Sequence, residues 1–217
     1  MTAEPDDVTE TRTAYDLVAE DYAELLQDDL AESTYDRVML GAFAELVQRA
    51  GGGLVGDLGC GPGRIAGYLA GLALDVVGID LSPGMVEVAR RDHPAIRFEV
   101  ASMAALPFAD GQLAGALAWY SVIHTPEERQ DELYAEFARV VRPGGVLLLA
   151  FQVGEEVVHL THAYGHALEL HTRRQVPERV RSRLAEAGFT VQAELTRQPV
   201  PPEKSPQGYV LARRELD

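Results

Sequence analysis

The stretch Val55-Gly56-Asp57-Leu58-Gly59-Cys60-Gly61-Pro62-Gly63-Arg64 constrains this chain more than any other. It opens in an apolar run, closes where a helical pattern begins, and sets three glycines at alternate positions. Without Cβ atoms in the way, backbone of this kind can come close to a ligand. Seventeen residues past Gly63 a second apolar run ends in Asp80. An acid there, in a strand, loop, helix, strand unit, can accept hydrogen bonds from both hydroxyls of a ribose. Loop and acid together predict a nucleotide-type cofactor.

The surrounding pattern predicts an α/β fold. Apolar runs at 54–58, 75–79, 96–100, 113–119 and 146–151 read as strands buried on both faces, alternating with helical stretches. Ser82-Pro83 reads as N-cap and first residue of a helix to Arg91, and Thr125-Pro126-Glu127-Glu128 as a capping box opening a helix through Tyr134, Phe137 and Val140. Pro143-Gly144-Gly145 reads as the turn into the fifth strand. Two helices precede the first strand. One shows Tyr15, Val18, Tyr22, Leu25 and Leu26 at helical spacing; the other starts near Ser33, carries Tyr35, Val38, Met39, Phe43, Leu46 and Val47 on one face, and stops at Gly51-Gly52-Gly53. From Phe151 to Gln175 the alternation leans to strand, although His162 and His166 are spaced as on a helix. A short helix over 177–187 and strands at 190–195 and 209–212 close the chain.

Composition narrows the function. The 217 residues are 47% hydrophobic with a formal net charge of −15, which fits one folded domain and opposes a phosphate backbone, so nucleic acid is not an expected partner. Met1 to Glu10 lacks the apolar core of a leader and no later run reaches the roughly 20 residues of a membrane span, which predicts a cytoplasmic protein without a membrane partner. Cys60 is the only cysteine. No internal disulfide can form, no zinc-knuckle spacing exists, and the His162/His166 pair lacks a convincing third ligand, so no metal is expected.

The glycine spacing is wrong for a nicotinamide dehydrogenase, whose fingerprint is Gly-x-Gly-x-x-Gly, and Asp57 would repel a diphosphate. The loop instead resembles motif I of the class I S-adenosylmethionine-dependent methyltransferases, whose cofactor carries a sulfonium and an ammonium group and no phosphate. Val77-Gly78-Ile79-Asp80-Leu81-Ser82-Pro83-Gly84-Met85 resembles the family's second motif, and Leu106-Pro107-Phe108 and Arg142-Pro143-Gly144-Gly145 resemble two later ones. The resemblance covers 54–151. It implies a doubly wound, mostly parallel seven-stranded sheet whose last strand is antiparallel, S-adenosylmethionine as cofactor, and methyl transfer to a small molecule.

The resemblance also implies site residues. Asp57, Gly59 and Gly61 would approach the methionine moiety, with Cys60 and Gly63 in the same loop; Asp80 would meet the ribose, and Leu81 and Met85 the adenine edge. Ser102 and Met103 would lie against the adenine, although many relatives carry Gly-Asp where this chain has Ala101-Ser102. Tyr15 and Tyr22 resemble a pattern in relatives whose amino-terminal helix closes over the cofactor. Trp119 and Tyr120 would border cofactor and acceptor, and His124 is the leading general base. His159, Tyr164 and His166 would contact the acceptor. Residues 1–50 are then a helical lid, 51–151 the cofactor-binding core, and 152–217 the acceptor side with the closing strands. Two other readings stay open: a noncatalytic S-adenosylmethionine-binding protein and a nicotinamide-dependent oxidoreductase. Acceptor identity and oligomeric state are not written in this sequence.

Overall fold

The structure, a computed structural model, describes residues 5–216; Met1–Glu4, part of the expected leaderless terminus, and Asp217 lie outside the described residues. Helix α1 (Asp6–Leu25) starts nine residues before the expected Tyr15, because Pro5 supplies an extended N-cap and Asp6 and Asp7 meet the positive end of the helix dipole. A single turn, α2 (Asp29–Glu32), intervenes before α3 (Thr34–Arg49). The buried stripe of α3 is Asp36, Met39, Leu40, Phe43, Ala44 and Val47, at three- and four-residue spacing. Tyr35 and Val38, expected on that face, are 52% and 56% exposed. An acid displaces them from the interior because it has a partner there: the Tyr209 hydroxyl donates to Asp36.

From β1 (Leu54–Leu58) the chain alternates: α4 (Arg64–Gly71), β2 (Asp75–Asp80), α5 (Pro83–Asp92), β3 (Arg97–Val100), β4 (Leu113–Trp119), α6 (Gln130–Val140) and β5 (Val141–Gln152). An antiparallel hairpin follows, β6 (Val157–Ala163) and β7 (His166–Arg173), then α7 (Pro177–Glu186), β8 (Phe189–Arg197) and β9 (Gln207–Arg214). Seven strands form one sheet in the order β3-β2-β1-β4-β5-β9-β8. β1 through β5 pair in parallel and β9 is antiparallel to both neighbours, as the resemblance implied. The sheet is covered on both faces by helices, and every residue of β4 is buried, which accounts for its unbroken apolar sequence.

Ser82 caps α5 as expected, its hydroxyl accepting from the Met85 amide at 3.0 Å. The capping box at Thr125 does not form. Pro126 is extended, a short 3-10 turn (Glu127–Arg129) intervenes, and the Gln130 side chain donates to the Thr125 carbonyl at 3.2 Å where helical bonding would have begun. Pro143-Gly144-Gly145 is a bulge inside β5 rather than a turn before it, since the register against β4 jumps between Leu113/Val141 and Gly115/Val146. The ambiguous segment resolves into the β6–β7 hairpin, and His162 and His166 are paired strand residues. Tyr164-Gly165 closes it with both φ positive, at 53° and 83°, as a two-residue turn of this hand requires.

Among the described residues no helix is long and apolar enough to cross a membrane.

Candidate active site

The strand order reverses between β1 and β4, and open α/β sheets bind ligands beyond the carboxyl ends of the strands at such a point. A cavity lies there with about 850 Å³ of empty space, part of it open to solvent.

The loop after β1 forms its floor. The Gly59 and Cys60 amides donate to the Ile79 carbonyl at 2.7 and 3.0 Å, which locks the loop to β2. Gly59 has φ 77°, and a Cβ there would fall 2.3 Å from Cβ of Ser121. Gly61, at φ 53°, turns its Cβ position toward the Tyr22 ring 3.9 Å away, so the space over it is cavity. Gly63 and Cys60 do not line the cavity. A Cβ on Gly63 would meet Phe98, and Cys60 is buried in the core with its thiol pushed up by burial.

Two acids give the floor its charge. Asp80 accepts from the Gly61 amide at 2.7 Å and the Ser82 amide at 2.9 Å. Burial still raises its pKa to about 6 against those bonds. Asp57 lies behind the loop, fully buried, and neither carboxylate oxygen has a hydrogen bond of ordinary length and angle. Burial and then the nearby Asp80 push it up to about 7, and the Ala66 amide and Arg64 guanidinium offset this only in part. A poorly satisfied buried carboxylate beside a second one suits a cationic ligand and opposes a diphosphate. The residues present therefore fit a cofactor with a positively charged end and no phosphate, such as S-adenosylmethionine.

The adenine-side expectations Leu81, Met85, Ser102 and Met103 all line the cavity, as do Trp119 and Tyr120. The Ser102 hydroxyl accepts from the Ala104 amide at 3.2 Å, closing a local turn. Tyr120 follows β4 with φ 54°, and its amide donates to Ala150, so strand pairing forces a bend that swings Ser121 under the loop, where its hydroxyl donates to Leu58 at 2.7 Å.

The roof is α1. Tyr15 and Tyr22 line the cavity and meet edge-on at 5.7 Å. Tyr15 reaches His124, which sits buried in the 3-10 turn after β4, with hydroxyl and Nε2 2.9 Å apart. His124 Nδ1 is 3.2 Å from the His171 carbonyl. A carbonyl only accepts, so Nδ1 carries the proton, Nε2 is the lone pair, and the Tyr15 hydroxyl donates to it. Burial lowers the His124 pKa to about 4, which keeps the ring neutral at pH 7, and burial raises that of Tyr15.

Of the residues expected around the acceptor, Tyr164 packs its ring 5.1 Å from Tyr22 without lining the cavity. His166 pairs with Asp21 of α1 at 2.7 Å. His159 is on the hairpin, bonded to Glu169 and stacked on His171. These three hold the hairpin against or beside the roof. The sequence reading missed Asp7, Val8, Thr11, Thr125, Arg129 and Leu133, which line one end of the cavity. Spacing offered a signal for part of them, since 7, 11, 15 and 22 share one helix face; nothing local marks Arg129.

A doubly wound sheet with a glycine loop, a strand-end acid and a ligand cavity at the switch point defines a nucleotide-cofactor-binding α/β protein. The family described as "Methyltransferase domain" matches residues 55–145. An uncharacterized 37.1 kDa protein of transposon TN4556 from Streptomyces fradiae is 35% identical over 78% of this chain and 52% of its own length. An O-methyltransferase of Penicillium expansum is 39% identical over 46% of the chain and 38% of its own length. The chain spans about half the length, or less, of these relatives. The crystal structure of a Burkholderia thailandensis 1,6-didemethyltoxoflavin-N1-methyltransferase, with 1,6-didemethyltoxoflavin and S-adenosylhomocysteine bound, superposes with a TM-score of 0.73 at 20% identity, over 99% of this chain and 92% of that one. Residues 55–145 thus match a methyltransferase domain, and nearly the whole chain has the fold of that methyltransferase structure.

Proposed function

We propose that the protein transfers a methyl group from S-adenosylmethionine to a small-molecule acceptor. The observation that carries this is the charge layout of one cavity. Its floor presents Asp80 over the buried Asp57, with no Lys or Arg among the described lining residues at that end, and a neutral imidazole stands beyond it. S-adenosylmethionine supplies an electrophilic methyl on a sulfonium, and transfer is an in-line displacement. This chain's contribution is to hold the nucleophile in line, exclude water with Trp119, Tyr120 and the Tyr15–Tyr22 roof, and take a proton where one must leave. The lone pair of His124 Nε2 is the base in this reading. Because the Tyr15 hydroxyl already donates to it, the proton of an acceptor reaches His124 either by displacing that hydroxyl or through it. Ser102 in place of a carboxylate supports a second reading, cofactor binding without transfer.

Calorimetry with S-adenosylhomocysteine tests the cofactor end. Asp80→Ala weakens binding roughly 10- to 100-fold, the loss of charge-assisted bonds worth about 1.5–3 kcal/mol. Tight binding of NAD with no response to S-adenosylhomocysteine would sink the reading. Single-turnover transfer on a panel of phenols, carboxylates and amines separates enzyme from binder. With an accepted substrate, His124→Gln and Tyr15→Phe lower transfer about 10²-fold or more and leave the cofactor dissociation constant within about threefold.

A further inference from the structure

Arg129 is the one Lys or Arg among the described residues that line the cavity. Its Nη1 donates to both carboxylate oxygens of Asp7 at 2.8 Å, whereas Nε is 3.8 Å from its nearest acid, Glu132. A guanidinium has five N–H donors in a planar fork, and an Asp taken side-on through one nitrogen leaves most of that fork unfilled. Arg129 is also only 24% exposed, so an anion bound there is partly shielded from water and salt.

Asp7 belongs to the roof. It is in the first turn of α1, on the face that carries Thr11 and Tyr15 over the cavity. Eight residues at 1.5 Å each put Tyr15 about 12 Å along the axis from Asp7. Tyr15 marks the level of His124, so Arg129 stands about two helical turns from the proposed reacting centre and away from Asp80. With 34 acidic against 19 basic residues, most of this protein repels anions, and this lining cation is the exception.

We propose that Arg129 is the recognition point for an anionic group, a carboxylate or a phosphate, on the end of the acceptor remote from the methylated atom, and that Asp7 competes with that group for the same guanidinium. The proposal deepens the reading of the cavity as a methyl-transfer site and rests on it. The acceptor class is then an elongated anion whose nucleophile and charge are separated by about two helical turns. Entry of its anionic end releases Asp7 and so loosens the amino-terminal turn of the roof.

The test uses the full chain saturated with S-adenosylhomocysteine, titrated at constant ionic strength with malonate and separately with inorganic phosphate. Backbone amide resonances of residues 125–133 are followed by NMR. Saturable shifts are expected with at least one anion, and which binds tighter tells a carboxylate from a phosphate group. Asp7→Asn tightens binding at least threefold by removing the competitor. Arg129→Gln abolishes it, and Arg129→Lys, which keeps the charge and loses the fork, weakens it severalfold. Absence of saturable shifts in both wild type and Asp7→Asn overturns the proposal, as does equal affinity in Arg129→Gln. Normal S-adenosylhomocysteine affinity in those samples confines the failure to the anion site; no S-adenosylhomocysteine binding by the wild type removes the methyl-transfer reading itself.

Discussion

The sheet edge under the cavity and the helix over it differ in what holds them in place. Under the cavity, Leu58, Ile79 and Leu117 are fully buried on β1, β2 and β4, and the loop is tied to β2 by backbone bonds. Over it, α1 buries only Ala14, Val18 and Ala19, in a small cluster with Met85, Val88, Leu168 and Leu170. Beside the ring contacts of Tyr15 and Tyr22, much of its attachment is polar: Asp7 to Arg129, Glu10 to the His171 amide and ring, Asp16 to Ser82 and Gly84, and Asp21 to His166. Apolar burial of core residues contributes about 1.5–3 kcal/mol per side chain, whereas ion pairs and hydrogen bonds that water still reaches contribute less after solvent screening. A floor that must hold its geometry is built from the first kind of contact, and a roof that must admit ligands from the second.

The largest expected effect breaks the floor. Gly59→Val puts a branched side chain at φ 77° where even a Cβ falls 2.3 Å from Ser121. Affinity for S-adenosylhomocysteine falls at least about 100-fold, with melting temperature lowered, because the loop must leave β2. Near wild-type binding in this variant would show that the loop is not the site.

A middle-sized effect concerns the one part of the floor that is not satisfied. Asp57 and Asp80 have folded pKa values of about 7 and 6, above the ordinary 3.8. The folded state then holds more protons than the unfolded one between about pH 4 and 7, so stability from these groups is complete at low pH and lost as pH rises through that window. His124, lowered to about 4, acts in the opposite sense, costing stability as pH falls from 6.5 toward 4. Asp57→Asn isolates the first effect. At pH 8 it raises stability by roughly 2 kcal/mol and the melting temperature by about 4–8 °C. It also weakens S-adenosylmethionine, and removes a gain in affinity that the wild type shows as pH rises toward 8. A variant less stable than wild type at pH 8 would mean that Asp57 is paired in solution.

The smallest effect lies in the roof. Hydrogen exchange of α1 amides is faster than that of β1 and β4 and slows when S-adenosylhomocysteine is added. His166→Ala, which removes the Asp21 pair, speeds α1 exchange about threefold without altering β4. Equal protection of roof and floor without ligand would erase the distinction drawn between them.

Much of the floor was legible in the sequence because its signals are local. A glycine needed for left-handed backbone, a serine cap three residues before the amide it accepts from, and a strand apolar at every position each reflect energies within a few neighbours. The expected loop, Asp80, the five parallel strands and the antiparallel last strand follow from such signals and from the resemblance they carry. Local rules also misread what distant partners overrode. Asp36 took the buried face of α3 because Tyr209 meets it from β9, and Pro126 stayed extended while the chain was routed past the roof toward α6.

The sequence by itself determined the βαβ unit, the glycine loop and the strand-end acid, since each is an arrangement of near neighbours along one chain. Only the tertiary structure decided that Tyr15 meets His124 across 109 residues and that Asp7 meets Arg129 across 122. Neither pair has a spacing to read. Each forms because the parallel sheet delivers the turn after β4 to the same edge over which α1 is laid, and which side chains then touch is set by packing at that edge rather than by any periodicity.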